Sequence, residues 1–317
     1  RGEIACRIVR TCQQMGIATV AIYSDADADG LHVQVADEAV HVGASPATES
    51  YLKIGNVIAA AQRTGADAIH PGYGFLAENA TFAQAVLDAG LTWVGPQPEV
   101  IARMGDKREA KAFLQAIPYV PGYTGTDQSD ETLISAANDI GYPIMIKATA
   151  GGGGKGMRAV KSADAMPDAL AAARREASQA FGDDTLMLEK RFINPRHIEV
   201  QIIGDRHGNV MTLGERECSI QRRHQKIIEE SPAAGLDPDL RYDIHQTAQR
   251  VGEQLSYQNA GTVEFLLDSD GHFYFMEMNT RLQVEHPVTE AVYGIDLVRW
   301  QLHIADGAFL SDLLPLY

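Results

Sequence analysis

Apolar residues Ile4, Ile8, Cys12 and Met15 recur every three or four positions, the spacing of a helix with one buried stripe, and they open the chain. Runs rich in β-branched and aromatic residues at 19–23, 39–42, 66–70 and 91–94 predict short strands, with helical patterns at 51–63 and 79–89 between the later ones. Strands alternating with helices imply an α/β unit with a parallel sheet and helices on its faces. Residues 98–116 read as one further helix, closed by Pro118 and Pro121.

Beyond residue 140 the pattern changes. An apolar strand at 142–147 leads into four successive glycines, Gly151 to Gly154, with Lys155 and Gly156. A second strand at 157–161, an alanine-rich helix at about 164–181 and a strand at 186–190 follow. This predicts a hairpin-and-helix unit of its own. Strands at 197–204 and 209–214, a helix over 238–255 and a hairpin over 261–281 complete an α+β half. There is no internal repeat and no low-complexity tract.

With 317 residues, 45% of them hydrophobic, the chain has enough apolar material for two or three lobes. A formal charge of −15 argues against nucleic acid and against anionic membrane as partners. No apolar run reaches bilayer length and no leader opens the chain, which predicts a soluble protein. Cys6, Cys12 and Cys218 are odd in number and lack metal-site spacing, so a reducing compartment and small buried thiols are expected. An opening helix without a strand before it, and an end at Leu316-Tyr317 without a charged tail, predict an internal fragment of a longer polypeptide.

Four features carry candidate chemistry. The glycine run lets successive backbone N–H groups converge on an anion, and its flanking strands make it the tip of a hairpin that can close as a lid. It is not a Walker A loop, because Lys155 is followed by Gly156 and Met157 instead of Ser or Thr. Gly72-Tyr73-Gly74-Phe75-Leu76-Ala77 has the place of a dinucleotide fingerprint, yet the next strand ends in Trp93-Val94-Gly95-Pro96 with no acid for a ribose, which leaves a tight turn. The segment 215–226 sets Arg216, Arg222, Arg223, His224 and Lys226 beside Glu215 and Glu217, a pocket for a small anion in an acidic protein. In the hairpin, Phe275, Glu277, Asn279 and Arg281 share one face by strict alternation. Cross-strand pairing adds Glu264 to that face if the turn uses two or four residues. Two carboxylates and an amide with no cation beside them call for a hard divalent ion, and with the glycine loop this favours Mg-ATP. The other reading is a solvated face on which Arg281 neutralises Glu277. Lys107 and Lys147 stand at element junctions, and Glu189-Lys190 beside Phe192 suits an adenine slot.

The stretches 1–5, 70–76, 104–107, 151–158, 215–226 and 277–287 stand in the order found in biotin carboxylase, the ATP-dependent subunit of acyl-CoA and pyruvate carboxylases, which the whole chain resembles. The resemblance implies a Rossmann-like N-terminal domain at 1–96 without its first strand, then an ATP-grasp domain at 97–317. The lid subdomain would span about 122–192, and the C-terminal lobe would be absent. It implies ATP-dependent carboxylation of biotin on a carrier by bicarbonate, through carboxyphosphate.

Lys107, Lys147, Gly153, Gly154, Met157, Glu189, Lys190, Arg191, Phe192, His197, Gln221, His224 and Leu266 would line the ATP site together with Glu264 and Glu277. Glu264, Glu277 and Asn279 would hold Mg2+ or Mn2+, with two metal sites possible. Lys226, Arg281, Gln283, Val284 and Glu285 would hold bicarbonate, with Glu285 as base and Arg281 and Lys226 completing the catalytic set. Implied partners are a biotin carboxyl carrier, a carboxyltransferase and a second copy in a homodimer, in the cytoplasm or, in a eukaryote, the mitochondrial matrix. Phe192 and Ala77 stand where the family often has leucine and serine. Another ATP-grasp ligase such as carbamoyl-phosphate synthase, and a nucleotide-binding module without turnover, are the alternative readings.

Overall fold

The computed structural model describes residues 1–149, 157–223 and 225–314, apart from the side chains of Lys107 and Arg108. Helix α1 (Gly2–Gln14) forms where the four-residue stripe predicts it, and its Ile4 is buried in a cluster with Ile203, Leu213 and Leu297. Strands β1 (Val20–Ser24) and β2 (Glu38–Gly43) pair in parallel, with the short helix α2 (Leu31–Val35) between them. Helix α3 (Ile54–Thr64) leads to β3 (Ala68–Ile69), and α4 (Ala80–Asp88), capped by the Asn79 side chain, leads to β4 (Thr92–Trp93).

The predicted alternation is present, but the parallel strands form two separate pairs among the described residues, and β3 and β4 have only two residues each. Their length is limited on both sides. Gly65 ends α3 in the left-handed region, and after Ile69 the chain meets Pro71 and then Gly72 and Gly74, at φ of +60° and +73°. The glycine pattern at 72–77 is therefore the tight turn.

Helices α5 (Pro98–Gly105) and α6 (Lys107–Phe113) replace the single helix expected over 98–116. The break is at Asp106, whose backbone is extended and whose Oδ1 accepts from Glu109 N at 3.2 Å, so a capping residue starts a new helix. A four-stranded antiparallel sheet follows, ordered β5-β8-β6-β7, from β5 (Gly122–Tyr123), β6 (Ile144–Ala148), β7 (Met157–Val160) and β8 (Leu186–Lys190). Helices α7 (Asp130–Ile140) and α8 (Met166–Phe181) bury Leu133, Leu170 and Ala177 against Ile144, Ile146 and Leu188. Helix α7 was not expected, although its Ser129 cap and the spacing of Leu133, Ala137 and Ile140 carry its signal.

The second sheet is antiparallel and ordered β11-β10-β9-β12-β13. It comprises β9 (Arg196–Gly204), β10 (Val210–Arg222), β11 (Gln225–Glu230), β12 (Asn259–Leu267) and β13 (Phe273–Asn279). Strand β10 runs well past the expected end at 214 and carries much of the cationic segment. Helix α9 (Pro238–Gln254) covers one face, where Ile198, Val200, Val263, Phe265 and Phe275 meet Ile244 and Val251. Helices α10 (His286–Tyr293), α11 (Leu297–Ala305) and α12 (Leu310–Leu313) close the chain. No helix of the described residues is long and apolar enough to cross a membrane. Cys12 and Cys218 are buried, Cys6 is half-buried, and none of the three is paired.

Candidate active site

Strand alternation sorts β9 into an apolar face, Ile198, Val200 and Ile202, and a polar face, His197, Glu199 and Gln201. The neighbouring β12 places Leu266, Glu264 and Thr262 directly opposite those three polar residues. The hairpin to β13 needs a correction. Its loop, 268–272, has five residues, and continuing the register of Leu267↔Phe273 and Phe265↔Phe275 would set Glu264 against Met276. A β-bulge at Met276 inserts one residue, so Glu264 pairs with Glu277 and Thr262 with Asn279. Phe275 accordingly leaves the face assigned by strict alternation. It is buried in the apolar core with Phe265, and Tyr274 takes its place on the polar side.

The polar face is not free of cations, as the sequence suggested. Glu264 Oε1 accepts from Lys226 Nζ at 2.8 Å, Asn279 Nδ2 at 2.7 Å and Gln283 Nε2 at 2.8 Å, while Oε2 lies 3.0 Å from His197 Nε2. Lys226 also donates to Glu285 Oε1 at 2.6 Å and to Glu199. Burial lowers the ammonium's pKa, but Glu199, Glu264 and Glu285 together hold it charged well above the ordinary lysine range. Burial likewise pushes Glu264 up, and His197 followed by Lys226 more than reverses it, so the carboxylate stays ionised below its usual range. Glu285 follows the same balance, with Lys226 outweighing burial. Gln221 Nε2 lies 3.1 Å from His197 Nδ1.

Arg281 is not set against Glu285. Its Nε donates to Glu78 Oε2 at 2.9 Å and its Nη2 to Asn279 Oδ1 at 3.0 Å, while Thr280 N donates to Glu78 Oε1 at 3.2 Å. The cationic segment also divides. Arg216 is wholly buried and bonded to Glu199, Lys226 reaches the carboxylates, and Arg222 and Arg223 are exposed. Among the described residues the charges are therefore divided between the interior, where Arg216 lies, and the exposed end of β10, where Arg222 and Arg223 stand.

Of the residues expected at a nucleotide, Lys147 forms an ion pair with Glu189 across β6 and β8, and Met157 lies opposite Lys147. Phe192 stacks on Tyr274 with centroids 4.8 Å apart, and Tyr274 pairs with Leu266, which makes an apolar platform beside His197. Lys190 does not join them through its ammonium, which donates to the Gly141 and Tyr142 carbonyls at 2.8 and 3.0 Å and caps the end of α7. Arg191 is exposed with its N–H on Pro143 O, and Val284 is exposed while Gln283 is buried. The Lys107 side chain, Gly153, Gly154 and His224 lie outside the described residues. Glu199, Glu78 and Tyr274 are site residues that the sequence reading missed, and Arg216, expected to line an anion pocket, is instead a buried partner of Glu199. Glu199 had a signal, since His197-Ile198-Glu199-Val200-Gln201 alternates polar with apolar residues.

Carboxylates in register on adjacent strands, flanked by a three-carboxylate lysine, suit a cationic metal with a phosphate on one side and a small oxyanion on the other. Residues 1–101 match the family described as biotin carboxylase, N-terminal domain, and residues 106–313 the carbamoyl-phosphate synthase L chain, ATP binding domain. The biotin carboxylase of Halalkalibacterium halodurans is 53% identical over 309 residues, covering 97% of this chain and 68% of the relative. The chain belongs to the biotin carboxylase family. The mitochondrial methylcrotonoyl-CoA carboxylase subunit alpha of Oryza sativa subsp. japonica is 56% identical over 319 residues, and the chain spans only 43% of its length. Among solved structures, the biotin carboxylase-beta-gamma-ATP complex from Campylobacter jejuni superposes with a TM-score of 0.93 at 48% identity, covering 98% of this chain and 70% of that one. The biotin carboxylase domain dimer of Hydrogenobacter thermophilus 2-oxoglutarate carboxylase, in complex with MgADP, ADP and bicarbonate, gives 0.91 at 46% identity, with 98% and 69% covered. The fold is thus the biotin carboxylase arrangement, an α/β Rossmann-like part followed by an ATP-grasp part.

Proposed function

We propose that this chain carries the ATP and bicarbonate sites of a biotin carboxylase, divided at about residue 96, and that the full-length protein carboxylates biotin on a carrier through carboxyphosphate. The observation that carries the reading is Lys226 joining Glu285 to Glu264, directly opposite Glu277. A similar domain has been solved with MgADP and bicarbonate. The nucleotide would rest its base on Phe192, Tyr274 and Leu266 and its phosphates toward Lys147. Glu264, Glu277 and Asn279 offer hard oxygen donors, which fit Mg2+ or Mn2+; the metal would supply charge neutralisation to the phosphates. A carrier, a carboxyltransferase and a second copy are the partners this reading brings, in the cytoplasm or the mitochondrial matrix.

Bicarbonate becomes a competent nucleophile when its remaining proton leaves. Glu285 would take it, and Lys226, with Arg281 once drawn from Glu78, would stabilise the dianion, a general-base contribution of roughly 10²–10⁴-fold. A carboxylate held below its usual range is a weak base, so entering bicarbonate must draw Lys226 away from Glu285 and raise the basicity of Glu285 in doing so. Closure over the site would exclude water from the carboxyphosphate.

ADP release by the full-length protein tests this. Turnover should require bicarbonate and rise with biotin, and stimulation by ammonia or an amine instead would assign it to the carbamoyl-phosphate synthase type of ligase.

A further inference from the structure

Among the described residues Arg216 is the largest side chain with no exposed surface, and the chemistry above gives it no task. All of its guanidinium protons are directed at acceptors. Nε donates to Glu199 Oε1 at 2.6 Å, Nη1 to Gln201 Oε1 at 2.9 Å and Thr289 Oγ1 at 2.8 Å, and Nη2 to Thr262 Oγ1 at 3.3 Å and Gln283 Oε1 at 3.2 Å. An arginine has five N–H donors in a fixed fork and a lysine only three on a rotor, so only arginine satisfies this set.

Three of the contacts lead to the bicarbonate residues. Because a guanidinium can only donate, the end of the Gln283 amide facing it must be the oxygen. The Nε2 end is thereby turned to Glu264, where it donates at 2.8 Å. Thr289 belongs to α10, whose N-cap is Glu285, so the same guanidinium ties down the helix that presents the base. Glu199, its third partner, is in turn a partner of Lys226.

We propose that Arg216 is a positioning residue for the bicarbonate end of the site, fixing the orientation of the Gln283 amide and the seat of Glu285 from beneath. This deepens the biotin carboxylase reading and rests on it. Glu264 and the nucleotide platform depend on Arg216 much less, because Glu264 keeps Lys226, Asn279 and His197 as direct partners.

The test is Arg216→Lys in the full-length protein, with KM for bicarbonate and for ATP measured in the same ADP-release assay. The expected result is a rise on the order of tenfold in KM for bicarbonate with ATP changed less than about twofold, and no further rise when Gln283→Ala is added. Equal rises for both substrates, an unchanged bicarbonate KM, or a fully additive double variant overturns the proposal. Arg216→Gln, which retains one amide donor group, should show the same split if the lysine variant does not fold; failure of both to fold assigns Arg216 to stability alone and overturns it too. A wild-type protein without bicarbonate-dependent turnover would instead overturn the function itself and the inference with it.

Discussion

Replacing Lys226 with methionine keeps most of the side-chain volume and removes the one charge shared by Glu199, Glu264 and Glu285. Glu199 retains Arg216, and Glu264 retains Asn279 and Gln283, so the cost falls mainly on Glu285, which is 8% exposed. At 2.6 Å and an effective dielectric constant of about 20, the Lys226–Glu285 attraction is about 6 kcal/mol. Relief of the lysine's own desolvation offsets about half, leaving a loss of about 3 kcal/mol near neutral pH.

The loss should depend on pH. In the wild type Glu285 is held below its usual range, so its contribution is present above about pH 4.5 and fades as pH falls below that. Without the lysine, burial raises its folded pKa above the unfolded value, so the variant is penalised increasingly as pH climbs through that raised pKa. Urea unfolding at about pH 7.5 and about pH 5 therefore should show a difference between wild type and Lys226→Met that shrinks at the lower pH. A loss of the same size at both values, or one under about 0.5 kcal/mol at the higher, would refute the charge balance described for this lysine.

Glu78→Gln should raise the bicarbonate KM severalfold by loosening Arg281, while stability changes by less than about 1 kcal/mol because Glu78 is 41% exposed; equilibrium unfolding and steady-state kinetics read the two effects separately. His286 is buried, its Nδ1 donates to Gln283 O at 2.6 Å, and burial lowers its pKa to about 4. The unfolded chain takes up that proton near pH 6.5, so the fold should lose up to about 3 kcal/mol from this group as pH falls from about 6.5 to 4. Urea midpoints of His286→Gln across that interval should be flatter than those of the wild type.

Period-2 and period-3.6 patterns located most strands and helices, because those signals are local. The pairing of Glu264 with Glu277 was also legible, though for an incomplete reason. A five-residue loop alone would have turned Glu277 into the core, and the bulge at Met276 that restores the pairing is decided by β12 and β13 together. The contact of Arg281 with Glu78 joins residues far apart in the chain, and no periodicity encodes it. Arg216 was hidden for another reason. The charged segment reads as one pocket for an anion, whereas the complete burial of Arg216 depends on acceptors from β9, β12, the Gln283 loop and α10. The helices after residue 285 were not expected, although Leu297, Val298, Gln301 and Ile304 of α11 repeat at helical spacing and pack as its buried stripe.

The most direct measurement is the fate of isotopic oxygen when the full-length protein turns over ATP with 18O-labelled bicarbonate. Attack by the bicarbonate oxygen on the γ-phosphorus leaves that oxygen behind when the carboxyl group is passed on. Inorganic phosphate should carry one labelled oxygen, with phosphate formation falling sharply in Glu285→Gln. Phosphate that acquires its new oxygen from water would show that this site does not activate bicarbonate.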